Sequence, residues 1–275
     1  MSQINGDAIQ QVKDLVLAGY HLSDIPDLAC PTTILPENTS VESLERFDLK
    51  RFRFRGTMKT TSIDDFVRYS VGYAKSEEPA RCFIDAEEMS ARSIFNIGTV
   101  DNPGHADNAA TISLKKTAPF CALLKIDGNR LRQKQIAEWL EDWSDYLLAF
   151  DADGNTMPVS QAAQAVRRIT IQQSTQQDHE DGDFRGKTSL MQSVEARSQD
   201  IMPVAFQFKC VPYEGLGERA FSVRNSLLTG DEPTFVLRIV QLEAQEEAIA
   251  NEFRELLTGK FEGKPVETFI GSFTA

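Results

Sequence analysis

The chain has 275 residues and a mass of 30.7 kDa, which is enough for one large domain or two smaller ones with a buried core. Hydrophobic residues make up 41% and charged residues 25%, and this balance excludes an intrinsically disordered chain. The net charge of −12 argues against a nucleic-acid-binding surface over the whole molecule, because Lys and Arg supply most phosphate contacts. A local basic groove and a basic protein partner both stay open.

Neither a membrane span nor a secretory signal is expected. Apolar runs are shorter than the roughly 18 residues that a transmembrane helix needs, and no basic segment precedes a continuous apolar stretch at the start. The cysteines lie far apart among apolar neighbours, without a C-x-x-C pair; they are Cys30, Cys82, Cys121 and Cys210. We therefore expect reduced, mostly buried thiols in a cytoplasmic protein.

The first predicted region, residues 1–45, begins with a helix. The apolar residues close to one of its faces are Ile9, Val12, Leu15, Val16 and Tyr20. Residues 22–45 are rich in Pro, Ser, Thr and Asp, so we expect an extended connector that lies against the fold.

The second region, residues 46–173, is predicted as an α/β half. Residues 46–60 alternate, which predicts a strand with phenylalanines on one face and arginines on the other. A helix with an N-cap at Thr61 or Ser62 follows, then a hairpin whose turn is AEEM, then a strand at residues 110–117.

The strongest helical pattern covers residues 133–150, where apolar residues recur every three or four positions. Trp139 and Trp143 lie on this apolar face, so we expect them in the core or at an interface. The DADGN sequence that follows is interpreted as a helix-terminating turn, because Thr156 and Ala162 stand where a calcium-binding loop needs Gly and Glu. A small-residue helix at residues 160–168 then leads into a strand, ITIQQ.

The remaining chain is predicted as a mobile loop, residues 174–188, and a β-rich half with a C-terminal helix, residues 189–275. Gly259 is expected just beyond the end of that helix, and the last residues are expected to add a strand or dock on a neighbouring chain. The predicted fold class is α+β, with an N-terminal α/β half and a β-rich antiparallel C-terminal half that share one core.

Polar residues are crowded between Cys82 and Ala110, and they admit two interpretations. Asp85, His105 and Asp107, with Glu87 or Glu88 as a further ligand, could bind a divalent metal in a hydrolase or nuclease. Alternatively, Asp85 caps a turn, Asn96 bonds a backbone group, and His105 with Asp107 ties the loop to the next strand. We favour this second, structural interpretation and expect no metal and no cofactor, while a contact with a small molecule or protein stays open.

The RFRFR sequence is the best candidate for contact with nucleic acid. Arg51, Arg53 and Arg55 on one strand face would suit a phosphate backbone, as in a single-strand binding or annealing protein. The phenylalanines are expected to pack inward. A basic strand in an acidic chain pairs more often with its own carboxylates or with those of a second subunit, so nucleic acid is the less favoured partner.

A series of short motifs covers most of the chain: FRGTMKTTSIDDFVRY, CFIDAEEMSARSIFN, GHADNAATISLKKT, AEWLEDW, PYEGLGERAF and FVLRIVQLE. Their order resembles the phage and prophage protein family typified by YfdQ. The resemblance implies an accessory protein of a temperate phage in the cytoplasm of a bacterial host. Such proteins often serve recombination, replication or evasion of host defence, and the resemblance assigns no catalytic residue.

These observations favour a non-enzymatic accessory protein that self-associates and binds a partner, either a host or a phage protein. The acidic charge, the lack of a catalytic signature and the aromatic residues on element faces support this hypothesis. The alternatives are the metal-dependent hydrolase and the single-strand binding protein described above.

Overall fold

The computed structural model describes residues 6–21, 44–47, 49–169, 201–228 and 233–274. The chain separates into two units, with the boundary between Phe54 and Arg55. The first unit contains helix α1, Gly6–His21, and a short 3-10 helix, Leu44–Phe47. The N-terminal helix is therefore confirmed, while the predicted connector at residues 22–43 lies outside the described residues.

The predicted strand through RFRFR is wrong. Residues 51–55 form neither helix nor strand, and the first strand begins only at Gly56. Phe52 is 94% exposed, so the expected inward-facing phenylalanine row does not form in the described structure. Local alternation was a misleading signal because no neighbouring strand pairs with this segment.

One sheet of the second unit is mixed and has the order β1-β4-β3-β2-β11. Its strands are β1 Gly56–Thr60, β2 Ala80–Asp85, β3 Ser90–Ile94, β4 Asn108–Ser113 and β11 Val266–Ile270. The β1–β4 and β2–β11 pairs are parallel, whereas the two pairs that involve β3 are antiparallel. The hairpin around AEEM and the strand after the GHADN loop are thus confirmed.

Two helices belong to this mixed sheet, α2 Ile63–Tyr73 and α6 Leu242–Phe261. Ser62 begins α2 as its N-cap, since its side chain accepts the backbone N–H of Asp65 at 3.2 Å. The predicted position of Gly259 beyond the last helix is wrong. Helix α6 continues to Phe261, whose side chain is buried against Phe66, and Gly263 adopts the positive φ after the helix.

The second sheet is antiparallel, with the order β5-β10-β9-β8-β6-β7. Its strands are β5 Arg130–Arg132, β6 Leu147–Phe150, β7 Thr156–Met157, β8 Ala205–Cys210, β9 Arg219–Leu228 and β10 Thr234–Ile239. Its helices are α3 Ala118–Ile126, α4 Gln133–Asp142 and α5 Val159–Arg168. The predicted strand ITIQQ beyond Ile169, the loop at 174–188 and the start of the predicted β-rich half, residues 189–200, lie outside the described residues.

The single long helix predicted for residues 133–150 is wrong in its second half. Helix α4 ends at Asp142, and a 3-10 turn at Ser144–Tyr146 leads into β6. Leu147 and Ala149 are buried where β6 pairs with β8, so sheet pairing prevails over the helical spacing. The DADGN turn therefore joins two strands, and the Asp151 carboxylate accepts the backbone N–H groups of Asp153 and Asn155.

One buried hydrophobic cluster includes residues from both sheets and their helices. The fold is therefore α+β with a shared core, as the sequence predicted. The halves exchange strands: residues 130–157 supply three strands of the antiparallel sheet, and the C-terminal β11 completes the mixed sheet.

Candidate functional site

The polar residues between Cys82 and Ala110 lie at opposite ends of strand β3. Asp85 pairs with Ser90 at the first end, whereas Asn96, His105 and Asp107 lie in the loop beyond Ile94. At roughly 3.3 Å per residue, Ser90 and Ile94 alone are about 13 Å apart. The proposed metal set therefore does not converge, and the described residues contain no cluster of three or more metal-ligating side chains.

Asn96 organises the loop between β3 and β4. Its amide nitrogen donates to Asp107 Oδ1 at 2.9 Å, and its amide oxygen accepts the backbone N–H of Asn108 at 3.0 Å. Its backbone carbonyl also accepts from Ala106, at 3.0 Å. The prediction that Asn96 bonds a backbone group is confirmed, and the polar groups of this loop are largely satisfied internally.

His105 has a different role from the one expected. Its side chain is exposed and forms no hydrogen bond or ion pair with any described residue. Asp107 is instead held by Asn96, and its backbone carbonyl accepts the N–H of Gly56 at 2.9 Å. The loop is thus tied to the sheet by Asn96 and not by the imidazole.

The other end of β3 opens into a cleft of about 730 Å³. The carboxyl ends of the parallel strands β2 and β11 meet there, since Gly271 donates its backbone N–H to Ile84 O at 2.8 Å. The carboxyl end of parallel strands is where ligands commonly bind in α/β proteins. An apolar floor lies between these strand ends and helix α6, formed by Ile84, Met89, Phe120, Ile249 and Ala250.

Carboxylates dominate the rim of the cleft: Asp85, Glu87, Glu246 and Glu247. Asp85 accepts the backbone N–H of Glu88 at 3.2 Å, which confirms that it caps the turn after β2. Glu87, Glu246 and Glu247 have no hydrogen bond or ion pair through their side chains among the described residues. The lining therefore keeps negative charge that the fold itself does not neutralise.

Tyr213 and Lys116 also line this cleft, together with the uncharged polar residues Asn251 and Ser272. Burial, together with the nearby Glu246, Cys121 and Glu88, raises the pKa of Tyr213. The phenol therefore stays protonated and uncharged at neutral pH. Its ring lies 6.0 Å from that of the buried Phe120, so the Tyr213 ring is packed against the apolar floor.

Glu252 lies on the same helix, α6, but outside the cleft lining, and its carboxylate has hydrogen-bond partners within the fold. It accepts the Gly217 N–H at 2.7 Å and an Arg219 N–H at 2.8 Å. Burial acts to raise the pKa of Glu252, but these hydrogen bonds outweigh it and hold the pKa below its ordinary value. Helix α6 thus carries paired and unpaired carboxylates on neighbouring turns.

Unpaired carboxylates, a phenolic oxygen that can accept a hydrogen bond, and an apolar floor suit a cation on an aliphatic stem. The carboxylates would bind a Lys ammonium or an Arg guanidinium, and the floor would cover its methylene groups. The partly exposed ring of Tyr213 would add a cation–π contact. Of the residues considered from the sequence, Asp85 and Glu87 line this cleft.

Sequence reasoning missed Tyr213, Glu246 and Glu247. Tyr213 lies in the PYEGLGE segment, whose Pro and Gly residues indicate only a turn between strands. The glutamates lie in the first half of α6, where acidic residues are typical of a solvated helix face. No local pattern distinguishes them, because the cleft forms from segments more than 100 residues apart.

The predicted tryptophan interface maps onto the antiparallel sheet. Trp139 stacks on Phe208 with ring centroids 5.7 Å apart, and Trp143 lies 6.4 Å from the same ring. Both side chains are partly buried against the core, so they stabilise the fold of their own chain. The predicted nucleic-acid contact is divided by the unit boundary, with Arg51 and Arg53 on one side and Arg55 on the other.

The thiols that the structure describes fit the expectation of buried, reduced cysteines. Cys82 and Cys210 are buried and Cys121 is partly buried, and none forms a disulfide. Burial raises the pKa of Cys82 to about 11 and, with Glu218, that of Cys210 to about 12. These two thiols are therefore poor nucleophiles at neutral pH.

No helix in the described part of the chain has the length and apolar character needed to cross a membrane.

Comparison with known proteins identifies a family. Searches of curated proteins and of solved structures find no significant match. The sequence profile of one family matches residues 8–273, almost the whole chain. The chain therefore belongs to the family described as "Uncharacterized conserved protein (DUF2303)".

Proposed function

We propose that this protein is a non-enzymatic accessory protein of a phage or prophage. It acts in the cytoplasm of a bacterial host by associating with itself and by binding a partner protein, and its cleft receives a basic side chain of that partner. The partner is a host or phage protein with an exposed Lys or Arg. The phage context comes from the motif resemblance, and the binding chemistry comes from the cleft.

The observation that supports this proposal most is the charge of the cleft. Glu87, Glu246 and Glu247 surround an apolar floor without a partner of their own among the described residues, and Lys116 is the one basic residue of the lining. An exposed pair of opposite charges contributes only about 0.2–1 kcal/mol. Several carboxylates around one cleft are therefore needed to hold a cation there.

The net charge of −12 also favours the binding of a basic partner. A strongly negative protein attracts basic segments over long range and raises their association rate, while the cleft supplies the short-range contacts. An apolar floor without carboxylates would select uncharged ligands, and exposed carboxylates without a floor would give weak, unspecific binding. The combination favours a basic side chain of a protein.

The test uses an acetylated and amidated tetra-arginine peptide, titrated against the full-length protein by isothermal calorimetry. The same peptide with citrulline in place of arginine has nearly the same shape but no charge. We expect the arginine peptide to bind and the citrulline peptide to bind at least tenfold more weakly. Equal affinity for the two peptides would contradict the proposal.

A matched pair of variants locates the site. The double variant Glu246→Gln with Glu247→Gln should weaken the arginine peptide about tenfold, which corresponds to about 1.4 kcal/mol. Glu243→Gln removes an exposed carboxylate from the same helix, outside the cleft lining, and should leave affinity within about twofold. The comparison is made per charge removed, since the double variant removes two carboxylates and Glu243→Gln removes one. If both lower the affinity for the arginine peptide equally per charge, the peptide does not bind in the cleft.

A further inference from the structure

The edges of the two sheets differ in how they are protected. The described residues leave four edge strands, β1 and β11 in the mixed sheet and β5 and β7 in the antiparallel sheet. Proteins protect such edges with charge, proline or short length, because an unprotected edge pairs with another chain. β5 carries two arginines in three residues, and β7 has two residues before Pro158. β1 begins with a glycine and carries Lys59.

Strand β11 has none of this protection along its outer side. It is five residues long, and Phe269 and Ile270 are 42% and 62% exposed. Its one charged residue, Glu267, lies 3.8 Å from Arg81 on the neighbouring strand β2, within its own sheet. The described structure therefore leaves one mostly apolar strand edge without protection.

The backbone contacts of β11 show which of its groups point outward. Pro265 accepts from Ala80 at 3.0 Å and Gly271 donates to Ile84 at 2.8 Å, so the odd-numbered residues face β2. Successive residues of a strand direct their N–H and C=O groups to opposite sides. Val266, Thr268 and Ile270 therefore direct both backbone groups away from the sheet. Pro265 faces inward, so its missing N–H does not weaken the outer edge.

From this edge we propose that two copies of the chain pair through β11, antiparallel and centred on Thr268, which joins the two mixed sheets across a two-fold axis. In this register Thr268 pairs with Thr268 of the second copy, and Val266 pairs with Ile270. Every outward backbone group of these residues then has a partner, which no shifted register achieves. Glu267 lies opposite Phe269, so the two Glu267 carboxylates do not face each other.

Charge complementarity favours a second copy over an unrelated strand. Lys264 precedes β11, is exposed, and has no side-chain partner among the described residues. Antiparallel pairing brings Lys264 of the second copy beside Gly271 and Ser272, which line the acidic cleft. Each copy would then place a cation next to the carboxylates of the other, as an isologous interface requires.

This interface deepens the self-association part of the proposed function, and light scattering after size-exclusion chromatography tests it. We expect the wild-type protein to have twice the single-chain mass of 30.7 kDa. Thr268→Pro removes an outward N–H without touching the bonds to β2, and Ile270→Lys adds charge to the edge; both should give the single-chain mass with unchanged circular dichroism. Val100→Lys, which changes an exposed apolar residue elsewhere, should remain dimeric.

Cysteine cross-linking tests the register. Thr268→Cys places two Cα atoms about 5.5 Å apart across the axis, within disulfide range, and should form a covalent dimer under mild oxidation. Glu267→Cys places them about 7–8 Å apart on the diagonal and should not, and the wild-type protein controls for the native cysteines.

The outcomes separate the interface from the wider proposal. If both edge variants remain dimeric, the protein self-associates but not through β11. Cross-linking at 267 but not at 268 would overturn the proposed register. A wild-type monomer would overturn self-association altogether, while peptide binding by the cleft is measured independently.

Discussion

The two ends of strand β3 carry similar polar residues and have opposite properties. At one end, Asn96 and Asp107 bond to each other and to the backbone, so the loop is a closed network. At the other end, the cleft holds Glu87, Glu246 and Glu247 without partners among the described residues. Residue type therefore does not determine function here. Whether backbone groups are within reach of a side chain determines whether it can bind anything else.

Gly104→Ala should cause the largest loss of stability, because it disrupts the hydrogen-bonded loop around Asn96 and Asp107. A Cβ at this position would collide with the backbone carbonyl of Asn96 and with the backbone of Ile97. Since no flexible side chain can move aside, the loop must shift, and we expect unfolding free energy to fall by about 3 kcal/mol. Urea denaturation followed by circular dichroism measures it.

Gly72→Ala is the matched control for that substitution. Gly72 lies in helix α2 and a Cβ there meets nothing within 4 Å, so we expect a neutral effect or a gain of up to about 1 kcal/mol. A loss below about 0.5 kcal/mol for Gly104→Ala would show that the loop is not rigidly closed.

Glu252→Gln should cause an intermediate loss of stability, and the size of this loss should depend on pH. The pKa of Glu252 in the folded protein lies below its ordinary value of 4.5, so its ionised form stabilises the fold. This contribution is present above about pH 4.5 and is lost as the pH falls through the lowered pKa. We expect the variant to lose about 1–2 kcal/mol at pH 7 and to show a flatter loss of stability in acid.

The control is Glu247→Gln, which neutralises an unpaired carboxylate on the same helix. It should leave the unfolding free energy at pH 7 unchanged or slightly higher, because no hydrogen bond is lost. Thermal unfolding at a series of pH values compares both variants. Equal losses for the two would mean that the pairing of Glu252 with Arg219 does not distinguish them.

His105→Ala should have the smallest effect. The imidazole is exposed and has no described partner, so the change in unfolding free energy should stay within about 0.5 kcal/mol. Asn96→Ala in the same loop should lose about 2 kcal/mol, because the buried Asn108 N–H would lose its acceptor. Denaturant titration of the two variants side by side measures the difference. A larger loss of unfolding free energy for His105→Ala than for Asn96→Ala would show that the imidazole, and not Asn96, holds the loop.

Local patterns predicted most elements of the fold. The Ser62 N-cap, the AEEM hairpin and the C-terminal helix were all predicted, because capping, turn chemistry and periodicity act within a few residues. The exceptions were RFRFR, which forms no strand because nothing pairs with it, and residues 147–150, which pair with β8 instead of extending a helix. Gly259 was a third exception, since the last helix continues to Phe261.

The candidate site was only partly predictable. Asp85 was named because it ends a strand and begins a turn, both of which are local features. Tyr213, Glu246 and Glu247 join it only through the parallel pairing of β2 with the C-terminal β11 and the packing of α6. His105 and Asp107 were grouped with Asp85 because they are close in sequence, while the length of β3 separates them in space.

The sequence by itself determined the α+β class, the acidic charge and the internal bonding of Asn96, because composition and short-range hydrogen bonding decide these properties. Only the tertiary structure decided that four carboxylates line one cleft and that β11 is an edge strand. The reason is physical: both features depend on contacts between residues near 85 and residues near 270, and no local interaction encodes the meeting of segments so far apart along a chain.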